Sequence, residues 1–496
     1  MKRRDFLELS GGLSAHLIVG GSLLSIRRAE ADSGLPIAAL QASLDPKKDQ
    51  VLIPANKASG TFDISFNKRT QITPRVRVVA GSAKAVSSTM LWAANNGLGF
   101  ALRSGGHSYE GFSQSPDLVI DVRGMTGIKL SADKKSVSIG SGSSLGSVYK
   151  ALAASHLAIP AGSCFPVGVA GHSLGGGFGL LGRPFGLACD SVLSMEMVDA
   201  SGRIRNVSEQ ENPDLFWALR GGGNGSFGAV TNFNFRTSPV NLVVKFRMTW
   251  NEPIAQAAKI VQAWQQWLEN LPPSITCTLH LTKGKGGLIK VHLAGLSVQS
   301  ESKLKAELKR LQAVAGAADD PRTETKTFDQ AATDFNGGKN APAYESILMK
   351  GKSDYVTEPM TDRGILTLLG GLQQAPRPIA VMCDSYGGAI NKVAAGATAF
   401  VHRGKTKYSM QYYMQWDSPQ ASDANIAVMR TLYASMRPFV SGGCYANYCD
   451  SDLGEGYARA YWGDNLPRLM KIKAQFDPKN IFRHAQSVPL SQGVNP

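Results

Sequence analysis

The residues best suited to chemistry in this chain stand among glycines. Between 168 and 179 the sequence reads GVAGHSLGGGFG, in which Gly171-His172-Ser173-Leu174-Gly175 has the form of a hydrolase nucleophile turn. Such a serine needs a buried strand running into it and a helix starting behind it. The flanks supply neither. Pro160, Gly162, Pro166 and Gly168 interrupt the upstream side, and each interior glycine of GGGFGLLGRPFG weakens a helix by ~1 kcal/mol. His402 and His484 lie downstream and could complete a triad order, but a histidine somewhere downstream is weak support. A second motif, Gly223-Asn224-Gly225-Ser226-Phe227-Gly228, satisfies a dinucleotide fingerprint that must open a helix. Here AVTNFNFRT follows, an alternation that predicts a strand, so a nicotinamide site is not expected.

Other segments point elsewhere. RSGGHSYEG begins at Arg103 and carries His107 behind Gly105 and Gly106; PAGSCFPVGVAG carries Cys164. Successive N–H groups of a glycine-rich turn form an anion-binding concavity, and the missing side chains admit a pyrophosphate. SGGHS is such a turn placed after a strand. The six cysteines, Cys164, Cys189, Cys277, Cys383, Cys444 and Cys449, show no zinc spacing, and no HExxH helix occurs, so no metal site is expected. Cys444 and Cys449 could pair in an oxidising compartment.

The elements that must position these residues are short. Strands are predicted at 75–79, 99–103, 117–121, 136–139, 192–199 and 229–236, with a helix through AKAVSSTMLWAANNGL ending at Gly97. Composition shifts near Pro239. Over 252–270, Ile254, Ala257, Ala258, Val261, Trp264 and Leu268 fall at helical spacing. CTLHLTKGKGGLIKVHLAGL reads as two alternating strands around a glycine turn. A helix over ESKLKAELKRLQAVAG and strands at 378–386 and 407–416 continue an antiparallel sheet backed by helices. On the last strand Ser409, Gln411, Tyr413 and Gln415 share one face by period two. The segment NLPRLMKIKAQF is helical up to the Asp477-Pro478 break.

A chain of 496 residues calls for two or three subdomains. Its 53 glycines, concentrated between 81 and 228, indicate tight turns and close backbone approach. The net charge of +15 comes from dispersed lysines and arginines without a nucleic-acid motif, so it is read as solubility with some attraction for anions. The first residues, MKRRDFLELSGG, resemble a twin-arginine export signal, with Phe6 and Leu7 after Arg3-Arg4 and an Ala29-x-Ala31 site behind a short apolar run. That run is glycine-broken and contains His16, so a stable membrane span is not expected. Residues 1–31 are thus expected to be a leader directing a folded protein to the periplasm or outside the cell through the twin-arginine machinery.

Taken together, the His107 and Cys164 motifs, LRGGGNGSFGAV, Asn447-Tyr448-Cys449-Asp450 (NYxD) and Gln486-Ser487-Val488-Pro489 (QSxP) resemble the berberine-bridge-enzyme-like flavoproteins over nearly the whole mature chain. That family lies within the vanillyl-alcohol-oxidase, or PCMH-type, FAD fold. The resemblance implies an α+β protein. A two-lobed FAD-binding domain would span 40–240, a substrate domain with an antiparallel sheet backed by helices 241–440, and a returning C-terminal segment 441–496. It implies FAD bonded to both His107 and Cys164, fixing the ring and raising its potential. The cradle would comprise Arg103, Ser104, Gly105, Gly106, Ser108, Gly168, Gly171, His172, Gly175, Gly176 and Gly179, with Ser173 as further polar lining. Asp190, Gly228 and Val230 would complete the adenine and ribose side, and Tyr461 and Asn465 would return to the flavin. Tyr448 is the implied base, tuned by nearby positive charge or hydrogen bonds. Asp384 stands where carbohydrate-oxidising relatives place an acidic partner, and Gln411 shares the site. The implied reaction removes hydride from an alcohol or a sugar hydroxyl, with oxygen as acceptor and hydrogen peroxide as product. The rivals are a tailoring oxidase of a bacterial secondary metabolite and a flavin carrier without catalysis.

Overall fold

The computed structural model describes residues 34–53, 64–223, 225–338 and 346–491. The leader expected at 1–31, and Asn224, lie outside these residues.

The first sheet has the order β1-β2-β4-β3: β1 (Gln50–Leu52), β2 (Val76–Val79), β3 (Phe100–Arg103) and β4 (Leu118–Asp121). Strands β2 and β3 both run parallel to β4, and β1 closes the edge antiparallel to β2. β2 and β4 are buried on both faces, as parallel strands usually are. The charges among them are therefore paired: Arg77 reaches Asp121 at 3.1 Å with both side chains fully buried, and Arg103 lies 3.9 Å from the same carboxylate. The helix Ala83–Asn95 connects β2 to β3, capped by the Ser82 hydroxyl at Ala85 N–H.

The second sheet is antiparallel, in the order β5-β6-β10-β8-β9, with β5 (Ile128–Leu130), β6 (Ser136–Gly140), β8 (Val192–Val198), β9 (Ile204–Ser208) and β10 (Ala229–Arg236). β7 (Leu157–Ala158) pairs with β11 (Ser238–Pro239) beside it. The residues after Gly228 do form a strand, β10, with Phe233 and Phe235 buried in the core. The helices Tyr457–Trp462 and Leu466–Phe476 return to this core through Tyr461, Trp462, Leu469 and Ile472. The second helix stops at Asp477. There Lys473 Nζ, fully buried, binds Asp477 at 2.7 Å and the carbonyls of Ser226 and Phe482 at 2.6 Å.

The third sheet has seven antiparallel strands in the order β15-β12-β14-β13-β17-β18-β16. They are β12 (Leu242–Glu252), β13 (Ile275–Lys283), β14 (Ile289–Ser297), β15 (Arg322–Thr327), β16 (Leu348–Val356), β17 (Ala380–Ser385) and β18 (Tyr408–Trp416). Four helices, Ile254–Glu269, Glu301–Ala315, Asp362–Gln374 and Ser422–Met436, cover one face. That face is apolar: Phe246, Met248 and Trp250 on β12, Leu279 and Leu281 on β13, Met410 and Tyr412 on β18. The alternate residues form the opposite face, which carries Lys245, Arg247, Thr278, His280, His292, Asp384 and Gln411 to one cavity.

One strand carries no signal in the sequence, and the expectation that Ser173 lines the site fails. LMKGKSDYV, with two lysines and an aspartate, has no apolar alternation, yet it forms β16 and is buried throughout because its charges pair inside the protein. A short helix, Val169–Leu174, runs through Ser173 instead of starting behind it. Ser173 is 1% exposed and faces the core, so it is neither nucleophile nor cavity lining.

Candidate active site

A cavity of about 840 Å³ lies between the first two sheets and the open face of the third, near the upper end for small-molecule sites. One end is bare backbone. Strand β3 delivers Arg103 into the turn Ser104–Ser108, and there Gly106 has φ +71°, a left-handed conformation that side chains disfavour. A Cβ on Gly106 would also collide with the Arg103 guanidinium. Gly105 and Gly168 meet backbone to backbone, so a side chain on either would strike the other's main chain. This contact brings the His107 turn against the Cys164 segment. Gly171 opens directly onto the cavity, with nothing within 4 Å of where a Cβ would stand.

His107 and Cys164 both line the cavity. His107 stacks on Phe66 at 4.6 Å, and burial followed by the Arg103 charge lowers its pKa to about 4. Its imidazole is therefore neutral near pH 7, the state in which a ring nitrogen is nucleophilic. Burial pushes the Cys164 thiol up, partly offset by a hydrogen bond from Ser163. His172 is also held neutral, its pKa lowered by burial to about 4, and its Nε2 accepts the Gly162 N–H at 3.0 Å. With Nε2 an acceptor, its proton sits on Nδ1.

At the other end, Tyr448 stacks almost coplanar on Tyr109, with centroids 5.6 Å apart and planes 7° apart. The Tyr109 hydroxyl accepts from Gln411 Nε2 at 2.6 Å. Asp384 accepts from Thr278 Oγ1 at 2.8 Å and Ser409 Oγ at 3.5 Å, its two cross-strand partners. Burial raises its pKa to about 6. Burial also raises Tyr448, and the neighbouring Asp384, Tyr109 and Tyr445 push it further the same way. The tuning expected of Tyr448, positive charge or bonds to the phenolate, is not what surrounds it.

The two tyrosines are held by their neighbours in sequence. Ser108 Oγ meets Cys449 Sγ at 3.6 Å. Lys350 Nζ on β16 lies 2.6 Å from both Glu110 and Asp450. Lys352 takes Asp450 at 2.7 Å and Asp452 at 2.6 Å, and Arg69 takes Glu110 at 2.9 Å. Lys350, Lys352, Glu110 and Asp450 are each at most 4% exposed. Burial alone would raise the Glu110 pKa, but Lys350 and then Arg69 hold it below the ordinary carboxylate range. Residues 108–110 and 448–450 are thus joined by three contacts: the Ser108 hydroxyl to the Cys449 thiol, the Tyr109 ring to the Tyr448 ring, and the Glu110 carboxylate to Asp450 through one ammonium. Tyr461 donates to Gln486 at 2.7 Å and accepts the Asp450 N–H at 3.1 Å, so it supports this segment from the cavity wall.

Of the expected cradle, Arg103, Ser104, Gly105, Gly106, Ser108, Gly168, Gly171, His172, Gly179, Gly228 and Val230 line the cavity. Four others do not. Gly175 ends the short helix in the core, and Gly176 packs on Phe400. The Asp190 carboxylate is taken by Arg403 at 2.7 and 2.9 Å and by Leu187 N–H. Asn465 donates to the carbonyls of Ala395, Thr398 and Ala399. All four are consumed by internal packing or bonding. Cys444 and Cys449 are both free thiols. Sequence reading passed over Tyr109 and Glu110, although they stand in RSGGHSYEG, and over Lys350, His280 and His292. The hairpin alternation already put the two histidines on one face; Lys350 had no such signal.

Two family models match, an FAD binding domain over residues 74–208 and "Berberine and berberine like" over 444–489. The uncharacterised FAD-linked oxidoreductase YgaK of Bacillus subtilis is 34% identical, covering 88% of this chain and 94% of its own. The solved BBE-like 1 of Physcomitrella patens has a TM-score of 0.84 at 30% identity, covering 92% of this chain and 99% of its own. A chitooligosaccharide oxidase structure has a TM-score of 0.83 at 25% identity, covering 91% and 99%.

Removing Lys350 leaves two carboxylates buried with one cation fewer. Lys350→Met is expected to destabilise the protein by about 3 kcal/mol, whereas Lys350→Arg recovers most of the loss. Equilibrium denaturation checks this; equal midpoints for wild type and Lys350→Met would contradict the clamp.

Proposed function

The chain belongs to the berberine bridge enzyme-like FAD-linked oxidoreductases, and from that premise we propose that it oxidises an alcohol, a sugar or oligosaccharide hydroxyl, with FAD held by both His107 and Cys164 and oxygen as the final acceptor. The residues present fit that cofactor. The Gly105–Gly168 contact and the bare Gly171 leave a cradle that side chains would fill, and the family's two attachment positions open onto the same cavity. The chemistry supplied by bound FAD is acceptance of a hydride and delivery of the two electrons to oxygen, giving hydrogen peroxide.

The observation that carries the reading is the convergence of Asp384 and Tyr448 on one end of that cavity. Hydride leaves a carbinol carbon more easily as its hydroxyl proton is removed, and a base works best with a pKa near the operating pH. Asp384, raised to about 6, meets that condition. Tyr448, raised further by the same carboxylate, stays protonated and acts as a donor that orients the substrate oxygen. The two form one unit: Asp384 takes the proton, Tyr448 fixes the hydroxyl, and Gln411 holds Tyr109 behind it. A chitooligosaccharide oxidase at 25% identity is in keeping with a carbohydrate substrate, and a monolignol oxidoreductase at 31% identity makes an aromatic alcohol the reading to test against it.

A peroxide-coupled panel of mono- and oligosaccharides and aromatic alcohols tests this. Turnover of a carbohydrate is expected; peroxide from the aromatic alcohols alone would overturn the carbohydrate reading. Because Asp384 must be ionised to accept a proton, kcat/KM should rise with pH through about 6 and level off above it. Asp384→Asn should remove that limb and cut the rate by about 10²-fold or more; Tyr448→Phe should lose rate but keep the limb. A limb that survives in Asp384→Asn assigns the base elsewhere. Attachment is read independently of turnover. The yellow chromophore should stay with acid-precipitated protein in either single variant, His107→Ala or Cys164→Ala, and wash away in the double variant. A chromophore that washes off the wild type excludes covalent attachment.

A further inference from the structure

His107 and Cys164 reach the cavity from segments that are held in different ways. His107 lies in the tight turn Ser104–Ser108, backed by the Gly105–Gly168 contact and by the clamp on Glu110. The Cys164 segment has fewer ties. At its start the Gly162 N–H donates to His172, and the Gly162 carbonyl accepts from the Tyr149 hydroxyl at 2.7 Å. At its end the Val167 N–H donates to the Cys164 carbonyl at 3.2 Å. Pro166 has no N–H. Among the described residues the backbone N–H groups of Ser163 and Cys164 make no hydrogen bond, so Phe165 carries the one bonded donor between Gly162 and Val167. Its N–H donates to Asn336 Oδ1 at 2.8 Å, and the two residues stand 171 positions apart.

Asn336 is itself held firmly. It caps the helix Phe328–Phe335, which follows β15 directly and opens with a reciprocal cap between Thr327 and Gln330. Near the end of that helix Asp334 lies 2.6 Å from both Lys245 on β12 and Lys326 on β15. At the start of the helix Phe328 meets Tyr149 edge to face at 5.3 Å, and Tyr149 meets Phe165 in the same way at 6.0 Å. Gly146 leaves room for the Phe165 ring: a Cβ there would stand 2.8 Å from that of Phe165. The residue after Cys164 is therefore gripped twice, by its ring against the helix Leu145–Ala153 and by its N–H against Asn336. An amide oxygen only accepts, so an apolar side chain at 336 leaves the Phe165 N–H without its protein partner. Asn336 and Cys164 line the same cavity, and among the described residues the Asn336 Nδ2 makes no hydrogen bond. Formation of a covalent bond needs the reacting atoms aligned at about 3–3.5 Å, so a small shift of the sulfur is costly.

We propose that Asn336 is a positioning residue for the second cofactor bond: through the Phe165 N–H it holds the Cys164 sulfur for attachment to the flavin ring, and it does so from outside the FAD binding domain matched at 74–208. The proposal rests on the reading that FAD is held by both His107 and Cys164, and deepens it. The bond joins the Cys164 sulfur to a ring carbon in place of the thiol hydrogen and one ring hydrogen. Both hydrogens leave as protons, and the two electrons released pass to oxygen, which becomes hydrogen peroxide. Asn336 exchanges neither proton nor electron in that step; it sets the geometry in which the step occurs. Its hydrogen bond touches the Cys164 segment and not the His107 turn, so the two attachments respond to it separately.

The test follows attachment in the full chain and does not depend on turnover. Wild type, Asn336→Ala and Asn336→Asp are expressed, synthesis is stopped, and samples taken at intervals are denatured and their free thiols alkylated. Peptide masses then give, at each time, the fraction of His107 carrying flavin and the fraction of Cys164 still free. His107 should fill at the same rate in all three proteins. In Asn336→Ala the free Cys164 thiol should disappear about fivefold more slowly, the effect of one neutral hydrogen bond. Asn336→Asp keeps an acceptor oxygen at the same place and should restore the wild-type rate. If wild type is joined at both residues and Asn336→Ala fills Cys164 as fast, the positioning role is wrong and the two-residue reading stands. An equal slowing of both bonds in Asn336→Ala, or no recovery in Asn336→Asp, also overturns the role, because the defect then lies in folding or in side-chain bulk. If wild type carries flavin on His107 alone, or carries none, the two-residue reading falls and the role of Asn336 falls with it.

Discussion

One ammonium group joins parts of the chain that lie hundreds of residues apart. Lys350 sits between Glu110 and Asp450, sealed from solvent, and each carboxylate is two residues or fewer from a tyrosine of the stacked pair. Burying such charges carries a desolvation cost, and a buried ion pair is weak evidence of net stabilisation. Its value is in geometry. A carboxylate that must stay paired has one allowed place, so the turn carrying His107 and Tyr109 and the segment carrying Tyr448 are held in fixed relation to a strand of the third sheet. The cluster includes Arg69 and Lys352, so each carboxylate has a second cation. The glycine turn carrying His107 and the third sheet are thereby one mechanical unit.

Burial sets the protonation states across the cavity, and its sign depends on the group. It disfavours the charged form in every case, which lowers histidines and raises carboxylates, thiols and phenols. His107 and His172 become neutral, and Asp384 moves toward neutrality without passing it. Glu110 experiences the same desolvation yet ends below its ordinary range, because Lys350 and Arg69 are close enough to outweigh it. Asp384 has only hydroxyls for company, from Thr278 and Ser409. Two buried carboxylates in one protein thus serve opposite purposes. Lys350 and Arg69 favour the charged form of one, whereas burial brings the pKa of the other up to about 6.

Much of this was legible in the sequence. Glycine turns, the strand after Gly228, the helix ending at Asp477 and the shared face of Ser409 and Gln411 all follow from local propensity and period. The FAD-linked family was legible in His107, Cys164, NYCD and QSVP. What local pattern could not reveal was how charge would be neutralised at a distance. LMKGKSDYV has no apolar alternation to mark it as a strand, and its burial depends on Glu110, Asp450 and Asp452 being brought to it by folding. Asp190 reads as a free carboxylate near glycines until Arg403, more than two hundred residues later, claims it. Ser173 reads as polar lining beside His172; its burial depends on the core behind the helix Val169–Leu174. For Asp190 a polar residue was assigned to the ligand, and a distant part of the chain supplied the partner instead.

The third sheet separates stability from specificity by the alternation of its strands. On β18, Met410 and Tyr412 face the helices while Gln411, between them, faces the cavity; on β17, Val381 and Cys383 alternate with Met382 and Asp384 in the same way. A substitution at Met410 changes packing density, where one lost methylene already has a cost. A substitution at His280 or His292 changes what the cavity presents, together with their contact with one another and the His292 bond to Thr249. Because the glycine cradle is built from the first two sheets and the polar cavity face from the third, that face can vary without disturbing the cradle, and the fold alone does not specify a substrate. What the cavity presents to a ligand is therefore set by side chains of period two on the open face of the third sheet, Asp384 and Gln411 among them.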